Sequence, residues 1–519
     1  MSDAHRRAVV ADVPRQYAGR PDGDRPVLGV TEPTRSWRDI DTAADQLAAG
    51  LAAAGLQPGA RVAALLPNCV EYVEIMYGVA RAGCVIVPLN TRSSGPEIER
   101  ALRFAGAAAA IVDERFLATV APIVAAVDTL PDERLVVLGD QTRGRTGYAE
   151  LLAAARPGQL PRPCEDDVYW MPFTSGTTGV PKASLVTHRA LVEQWRVVEH
   201  EFELRRSDTM LVAGPFYHSL GFLFGLSALF AGGRLLVHPD FDPGRVVDAI
   251  EHRGATVMPA VPTMYTLLLA ELERRPAALA SMRAVVSAGS PLHTATKLEL
   301  LERFPGAGLY ELYGSTEVGI ATVLRPEDQR RKERSVGLPV RGAEVRLVDD
   351  AGAEVPPGTP GEVEKRGLLL GPRYWRNEAD SAAIEHDGWI ATGDIGVQDD
   401  EGHLSIVDRK KDMIVSGGAN VFPAEIEAVI AGDPAVLEVA VIGVPDPVWG
   451  EAVTAVVVPR PGHELDRDAL VQRCAAELAD FKKPRRIEVV GELPKSGAGK
   501  VLKRELRERF WAEAGSRVG

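Results

Sequence analysis

The chain of 519 residues is poor in cysteine, lacks a basic excess and opens without an apolar run. Its 4 cysteines, Cys69, Cys84, Cys164 and Cys474, show no Cys-x-x-Cys spacing. Thiols so few and scattered make neither a disulfide framework nor a zinc site, and they fit a reducing cytoplasm. Lys and Arg number 59 against 72 Asp and Glu, a net charge of −13. A dedicated nucleic-acid binder carries the opposite balance, so that class is set aside. Residues 1–20 are polar and contain no leader-like apolar core. The longest stretch free of Asp, Glu, Lys and Arg runs from residue 209 to 233, but Pro215, His218 and five glycines interrupt it. It reads as a buried segment of a soluble protein, and no integral membrane segment is expected.

What is present is ordinary for a globular protein: 45% apolar and 25% charged residues. The length suits several domains, or one large domain with a smaller one attached. Residues 38–54 pattern as a helix, 62–67 as a buried strand, 71–81 as a helix and 85–87 as a strand. Residues 106–112 and 135–138 repeat the theme. Strands alternating with helices predict α/β units with parallel sheets. From Val345 the pattern changes to short strands and Gly/Pro/Asp turns, a small β subdomain. After the charged run Asp408-Arg-Lys-Lys-Asp412, residues 423–430 read as a helix, 436–444 and 452–458 as strands. Residues 501–510 read as a helix with Leu502, Leu506 and Phe510 on one face. The expected layout is a large N-terminal domain, 1–410, of α/β sheets with the β subdomain, and a smaller mobile C-terminal α+β domain, 411–519.

Four strings carry chemistry. Thr174-Ser-Gly-Thr-Thr-Gly-Val-Pro-Lys182 offers two glycines for close backbone approach to phosphate, four hydroxyls and a cation. It is no Walker loop, because Lys182 follows Pro181 and precedes Ala183. Thr187-His-Arg-Ala-Leu191 directly after it reads as a capped helix start, a favourable neighbour for phosphate. Pro494-Lys-Ser-Gly-Ala-Gly-Lys500 is a second glycine-rich loop, ending in a lysine before a helix. Tyr313-Gly-Ser-Thr-Glu317 joins an aromatic ring, hydroxyls and a carboxylate, and a carboxylate near phosphates is a natural Mg²⁺ ligand. Trp389-Ile-Ala-Thr-Gly-Asp394 reads as an Asp presented by a glycine turn at a strand end, where it can take ribose hydroxyls.

In this order and spacing the strings resemble the adenylate-forming superfamily, which contains acyl-CoA synthetases, firefly-luciferase-like enzymes and the adenylation domains of peptide synthetases. Asp408 to Asp412 and Ser416-Gly-Gly-Ala-Asn420, followed by Glu425-Ile-Glu427, add to the likeness, which is closest to the acyl-CoA synthetases. The resemblance implies ATP, Mg²⁺ and coenzyme A. It implies that Thr174, Ser175, Gly176, Thr177, Thr178, Gly179 and Lys182 hold the ATP phosphates, with Thr174 also near the metal. Tyr313 would stack on adenine, with Glu311, Leu312 and Gly314 beside it; Glu311 stands where Asn or Asp is commoner. Thr316 would reach the α-phosphate and Glu317 the Mg²⁺. Asp394 would bind ribose, assisted by Arg409. Gly289 and Ser290 lie in the segment expected near adenine and the acyl group. Phe216-Tyr-His218 would gate the acyl pocket, with His218 in it. Lys500 would serve adenylation, Lys411 the hinge, and Gly417 and Gly418 the pantetheine tunnel.

The implied reaction joins a carboxylic acid to CoA through acyl-AMP. The alternatives are an adenylating enzyme that loads a carrier-protein thiol and a catalytically silent acyl- or nucleotide-binding protein. Residues 216–224 contain no Asp or Glu to hold an amino group, so an apolar fatty, alicyclic or aryl acid is expected. A monomer or homodimer is expected. One departure from the family stands out: Gly361-Glu-Val-Glu-Lys-Arg-Gly367 carries Glu364 and Lys365 within a strand. This predicts a strand more polar on one face and clear of the chemistry.

Overall fold

The structure, a computed structural model, describes residues 9–156, 158, 160–174, 182–416, 419–446, 448–479, 482–495 and 501–513. The chain divides into two compact units, Met1–Val345 with Lys365–Ile390 and Arg346–Glu364 with Ala391–Gly519.

The first unit is α/β. Its larger sheet has nine strands: β1 (Pro26–Gly29), β2 (Pro33–Ser36), β3 (Thr209–Val212), β4 (Arg234–Val237), β5 (Val257–Ala260), β6 (Ala284–Ser287), β7 (Gly308–Ser315), β8 (Gly319–Leu324) and β9 (Leu338–Pro339). Their order is β9-β8-β7-β6-β5-β3-β4-β1-β2. The six strands β1, β4, β3, β5, β6 and β7 run parallel, and β8 returns antiparallel to β7. The second sheet has six strands, among them Arg61–Leu65, Val85–Pro88 and Ala109–Asp113 in parallel register. Runs such as Val257–Ala260 are buried throughout, as parallel strands covered on both faces must be.

Local chemistry sets the helices. Trp37–Ala53 begins at a capping box in which Asp39 N–H donates to Ser36 Oγ at 3.2 Å and Ser36 N–H to the Asp39 carboxylate at 2.8 Å. Helix α1 (His188–Glu201) starts where Thr187 Oγ1 accepts the Ala190 N–H at 3.1 Å, the capped start read from the sequence. The uncharged stretch 209–233 resolves into β3 and helix α2 (Ser219–Phe230), which is apolar all round and buried. Phe222 of α2 stacks on Trp170 of the six-stranded sheet at 4.4 Å. Phe216, just before α2, meets Tyr72 edge-on at 5.7 Å. No helix among the described residues is long and apolar enough to cross a membrane.

After residue 343 the chain turns to β structure, but its strands are not all short as the turn-rich sequence suggests: Trp389–Gln398 spans 10 residues. Glu344–Val348, β10 (Gly361–Arg366), Glu385–His386, β11 (Trp389–Gln398) and β12 (Leu404–Arg409) form a five-stranded sheet. The C-terminal part is α+β. The long hairpin Val436–Asp446/Gly450–Pro459 is flanked by shorter strands, and helix Pro423–Ala431 buries Ile426 and Ile430 in the core. Helix Lys503–Glu513 covers Ala440, Ile442 and Val456 with Leu506 and Phe510, each worth about 1.5–3 kcal/mol in burial. Leu502, expected on that face, lies just before the helix.

The strand 361–366 corrects an expectation. Glu364 and Lys365 are not on a polar face: they are 4% and 0% exposed. Adjacent strand residues point to opposite sides, so both sides are buried.

Candidate active site

Ligands of open α/β sheets bind beyond the carboxyl ends of parallel strands. In the first unit those ends bring several expected residues to one rim. Residues Gly214 to His218 follow β3, Gly289 and Ser290 follow β6, and Tyr313 to Ser315 close β7. The rim is continuous: Ser219 Oγ, at the start of α2, lies 3.0 Å from Thr316 Oγ1. His218 is half-buried, and Gly289 and Ser290 are exposed. Leu312 and Tyr313 are half-buried on β7, with Tyr313 opposite Thr322 of β8. Gly314 allows β7 and β8 to close on each other, since a Cβ there would lie 2.0 Å from the Gly319 carbonyl oxygen.

The turn 316–318 presents Glu317. Ser315 Oγ accepts the Glu317 N–H at 3.2 Å, and the Gly371 N–H donates to the Glu317 carbonyl at 3.0 Å. The Tyr374 hydroxyl donates to Glu317 Oε1 at 2.8 Å. Burial first, and then the nearby Glu317 charge, push the Tyr374 hydroxyl above its ordinary pKa, so it stays a donor. Lys182 Nζ stands 5.2 Å from the centre of the Tyr374 ring and pairs with Asp380 at 2.6 Å. That ammonium, helped by Asn377, holds the Asp380 carboxyl below the usual range. The lysine that ends the expected phosphate loop thus stands beside the Glu317 contact. Glu311 is engaged elsewhere, in a buried ion pair with Lys297 of helix α3 (Thr294–Arg303) at 2.5 Å. Burial pushes its carboxyl up to about 7 against the opposing pull of Lys297.

Among the described residues no three His, Cys, Asp or Glu cluster as a metal cage.

In the second unit Asp394 lies inside β11, not at a strand end as expected. The glycine before it has φ +73°, a left-handed conformation, and the strand runs on past it. Thr392 Oγ1 donates to the Val363 carbonyl at 2.9 Å and accepts the Asp394 N–H at 3.2 Å. Antiparallel pairing sets Asp394 opposite Arg409 of β12, with Arg409 Nε 3.5 Å from its carboxylate. Lys411 is exposed, and its carbonyl accepts from Arg507 at 3.1 Å. The buried Asp408 carboxylate accepts the Arg409 N–H at 2.7 Å and the Ala424 N–H at 2.9 Å. Ser175, Gly176, Thr177, Thr178, Gly179, Gly417, Gly418 and Lys500 lie outside the described residues, as does the side chain of Thr174.

Residues 14–375 match the family described as AMP-binding enzyme, and residues 425–500 match its C-terminal domain. The chain belongs to the AMP-binding enzyme family. Within this family of adenylate-forming enzymes it is 38% identical to a feruloyl-CoA synthase of an Amycolatopsis species, across 92% of this chain and 94% of that one. It is 36% identical to an indoleacetate–CoA ligase of Aromatoleum aromaticum, across 91% and 92%. A crystal structure of the anthranilate CoA ligase AuaEII in complex with anthranoyl-AMP superposes with TM-score 0.89 at 27% identity, covering 98% of each chain.

Several residues at the rim escaped sequence reasoning. Asn68 donates to the Gly214 and His238 carbonyls at 2.8 and 3.1 Å and accepts the Phe216 N–H at 2.8 Å, which sets the loop before α2. Its only mark in the sequence is a polar residue after Pro67 in an apolar run. Tyr374, Asp380 and Lys297 carry no local mark, and Lys365 stands out in the sequence only as a charge within a strand.

Proposed function

We propose that this AMP-forming acid–CoA ligase activates an apolar carboxylic acid without an α-amino group. The observation that carries the choice of acid is the uncharged rim: from Gly214 to Phe224 no Asp, Glu, Lys or Arg occurs beside Thr316. An ammonium group would find no counter-ion there. The relatives at 38% and 36% identity are named for ring-bearing acids and others of similar coverage for long-chain fatty acids, so the panel holds aryl, arylalkanoic and fatty acids.

The chemistry runs in two steps. A carboxylate oxygen of the acid attacks the ATP α-phosphorus, a P–O bond breaks and pyrophosphate leaves. The CoA thiolate then attacks the acyl carbon, and AMP leaves with the bridging oxygen. Both partners in the first step are anionic, so cations decide its rate. Lys182 and the phosphate loop would hold the β- and γ-phosphates, Thr316 the α-phosphate, Tyr313 the adenine, Asp394 with Arg409 the ribose. Glu317 would hold a Mg²⁺, which would supply positive charge at the triphosphate. Lys500 would neutralise charge in the first step only. The C-terminal domain would turn about Lys411, whose exposure suits a hinge.

Pyrophosphate exchange with an acid panel, followed by mass spectrometry of the CoA product, tests the reading. Exchange with apolar acids and a matching acyl-CoA are expected; exchange with amino acids alone overturns it. Lys500→Ala should nearly abolish exchange yet still convert presynthesised acyl-AMP and CoA to thioester. Equal loss in both steps would remove the one-step role.

A further inference from the structure

Lys365 of β10 is a buried cation that the reaction as described does not use. Its side chain is 0% exposed, and no described carboxylate pairs with it. Its ammonium donates to three backbone carbonyls: Val318 at 2.5 Å, Ile320 at 2.9 Å and Leu368 at 3.1 Å. That uses every N–H it has. Burial pushes its pKa down to about 7, while three carbonyl oxygens favour keeping the proton.

The three acceptors are not scattered. Val318 and Ile320 leave the turn that presents Thr316 and Glu317. Leu368 opens the loop that supplies the Gly371 N–H and the Tyr374 hydroxyl to Glu317. Leu368 has φ +44°, a left-handed conformation that a leucine keeps only when its surroundings hold it. Its carbonyl is held twice, by Lys365 and by Gln194 Nε2 at 2.5 Å. Gln194 also accepts the Ile320 N–H at 3.0 Å. Gly319 leaves room for this, since a Cβ there would lie 2.6 Å from the Gln194 side chain.

We infer that Lys365 is a positioning residue for the nucleotide-binding turn: its one ammonium joins the turn 316–318 to the loop carrying Gly371 and Tyr374, and so fixes where Glu317 stands. The inference rests on the proposed function, which puts Glu317 and Thr316 at the triphosphate. A methionine at 365 has similar length but no donor, and it frees both segments at once.

Lys365→Met is expected to lower the exchange rate about tenfold or more, with the KM for the acid unchanged. It should weaken Mn²⁺–ATP binding, read by the electron paramagnetic resonance of Mn²⁺ titrated into enzyme and ATP, by about tenfold. In the Glu317→Ala background the same substitution should cost less than twofold, because its effect runs through Glu317. Full additivity in that cycle, or wild-type Mn²⁺–ATP binding in Lys365→Met, overturns the inference. If Lys365→Met does not fold, Gln194→Leu carries the test, with the same expectations at smaller size and the same overturning outcomes. Failure of the underlying reading looks different: Glu317→Ala itself would then leave exchange and Mn²⁺–ATP binding intact.

Discussion

Glu317 in the first unit and Asp394 in the second are both proposed to serve the nucleotide, and the protein holds the two carboxylates in opposite ways. Glu317 sits on a turn whose backbone groups are taken up by Ser315, Gly371 and Lys365, while Tyr374 holds its carboxylate. Asp394 sits on a strand opposite Arg409, whose side chain is 50% exposed and whose Nε stands off at 3.5 Å. The first arrangement is fixed before any ligand arrives; the second leaves an arginine able to adjust. This matches the role proposed for each. A group facing charge that develops during P–O cleavage gains from being held still, because reorganisation during the reaction adds to the barrier. A group that only takes ribose hydroxyls loses little by adjusting on binding.

The largest effect is therefore expected at Glu317. Glu317→Ala should slow pyrophosphate exchange by about 10²-fold or more. Loss of the Tyr374 hydrogen bond should cost only about 1 kcal/mol of stability. Exchange measured across a Mg²⁺ titration, beside thioester formation from presynthesised acyl-AMP, checks this. A loss no greater than that of Asp394→Ala would erase the contrast.

Next comes the buried pair beneath the rim, which tests how dry this part of the first unit is. The Glu311 carboxyl is pushed by burial from 4.5 up to about 7, with Lys297 pulling the other way. The folded pKa lies above the unfolded one, so the stabilising contribution is full below about 4.5 and is lost as pH rises through about 7. Glu311→Gln removes that titration. The stability of wild type minus variant, from denaturant unfolding, should shrink between those pH values by about 3 kcal/mol at most and then level off. A difference that grows with pH would mean that the Lys297 charge outweighs burial.

The pair was not legible in the sequence, and the reason is general here. Periodicity showed the alternating helices and strands, because each depends on neighbours a few residues apart. The strings around Tyr313 and Thr187 were legible too, since a strand end and a capped helix start are local events. Lys365 reaches Val318 across 47 positions and Tyr374 reaches Glu317 across 57, and no spacing encodes such partners. In the sequence, Glu364 and Lys365 look like a polar face; in the fold Glu364 is buried against Arg346 at 2.7 Å and Lys365 against carbonyls. The sequence places Asp394 at a strand end because a Gly before an Asp usually marks a turn, whereas here the strand Trp389–Gln398 runs on past it and pairing with β12 begins at Asp394.

The smallest effect is expected at Arg409. A pair at 3.5 Å whose guanidinium is 50% exposed contributes roughly 0–1 kcal/mol, so Arg409→Ala should leave the unfolding midpoint nearly unchanged. Its expected effect is on nucleotide affinity: the KM for ATP should rise about threefold to fivefold while kcat stays within about twofold, the pattern of binding lost equally from ground and transition states. Salt should reproduce part of it. Raising ionic strength screens an exposed guanidinium, so the gap between wild type and variant should narrow with salt. The Glu317→Ala defect, held in a turn tied by buried donors, should not narrow in the same way. Measuring both variants across one salt series puts the contrast to a direct test. A salt-independent Arg409 effect that falls on kcat would place that arginine among the groups facing the reacting phosphate, and the strand carrying Asp394 would then be held as firmly as the turn carrying Glu317.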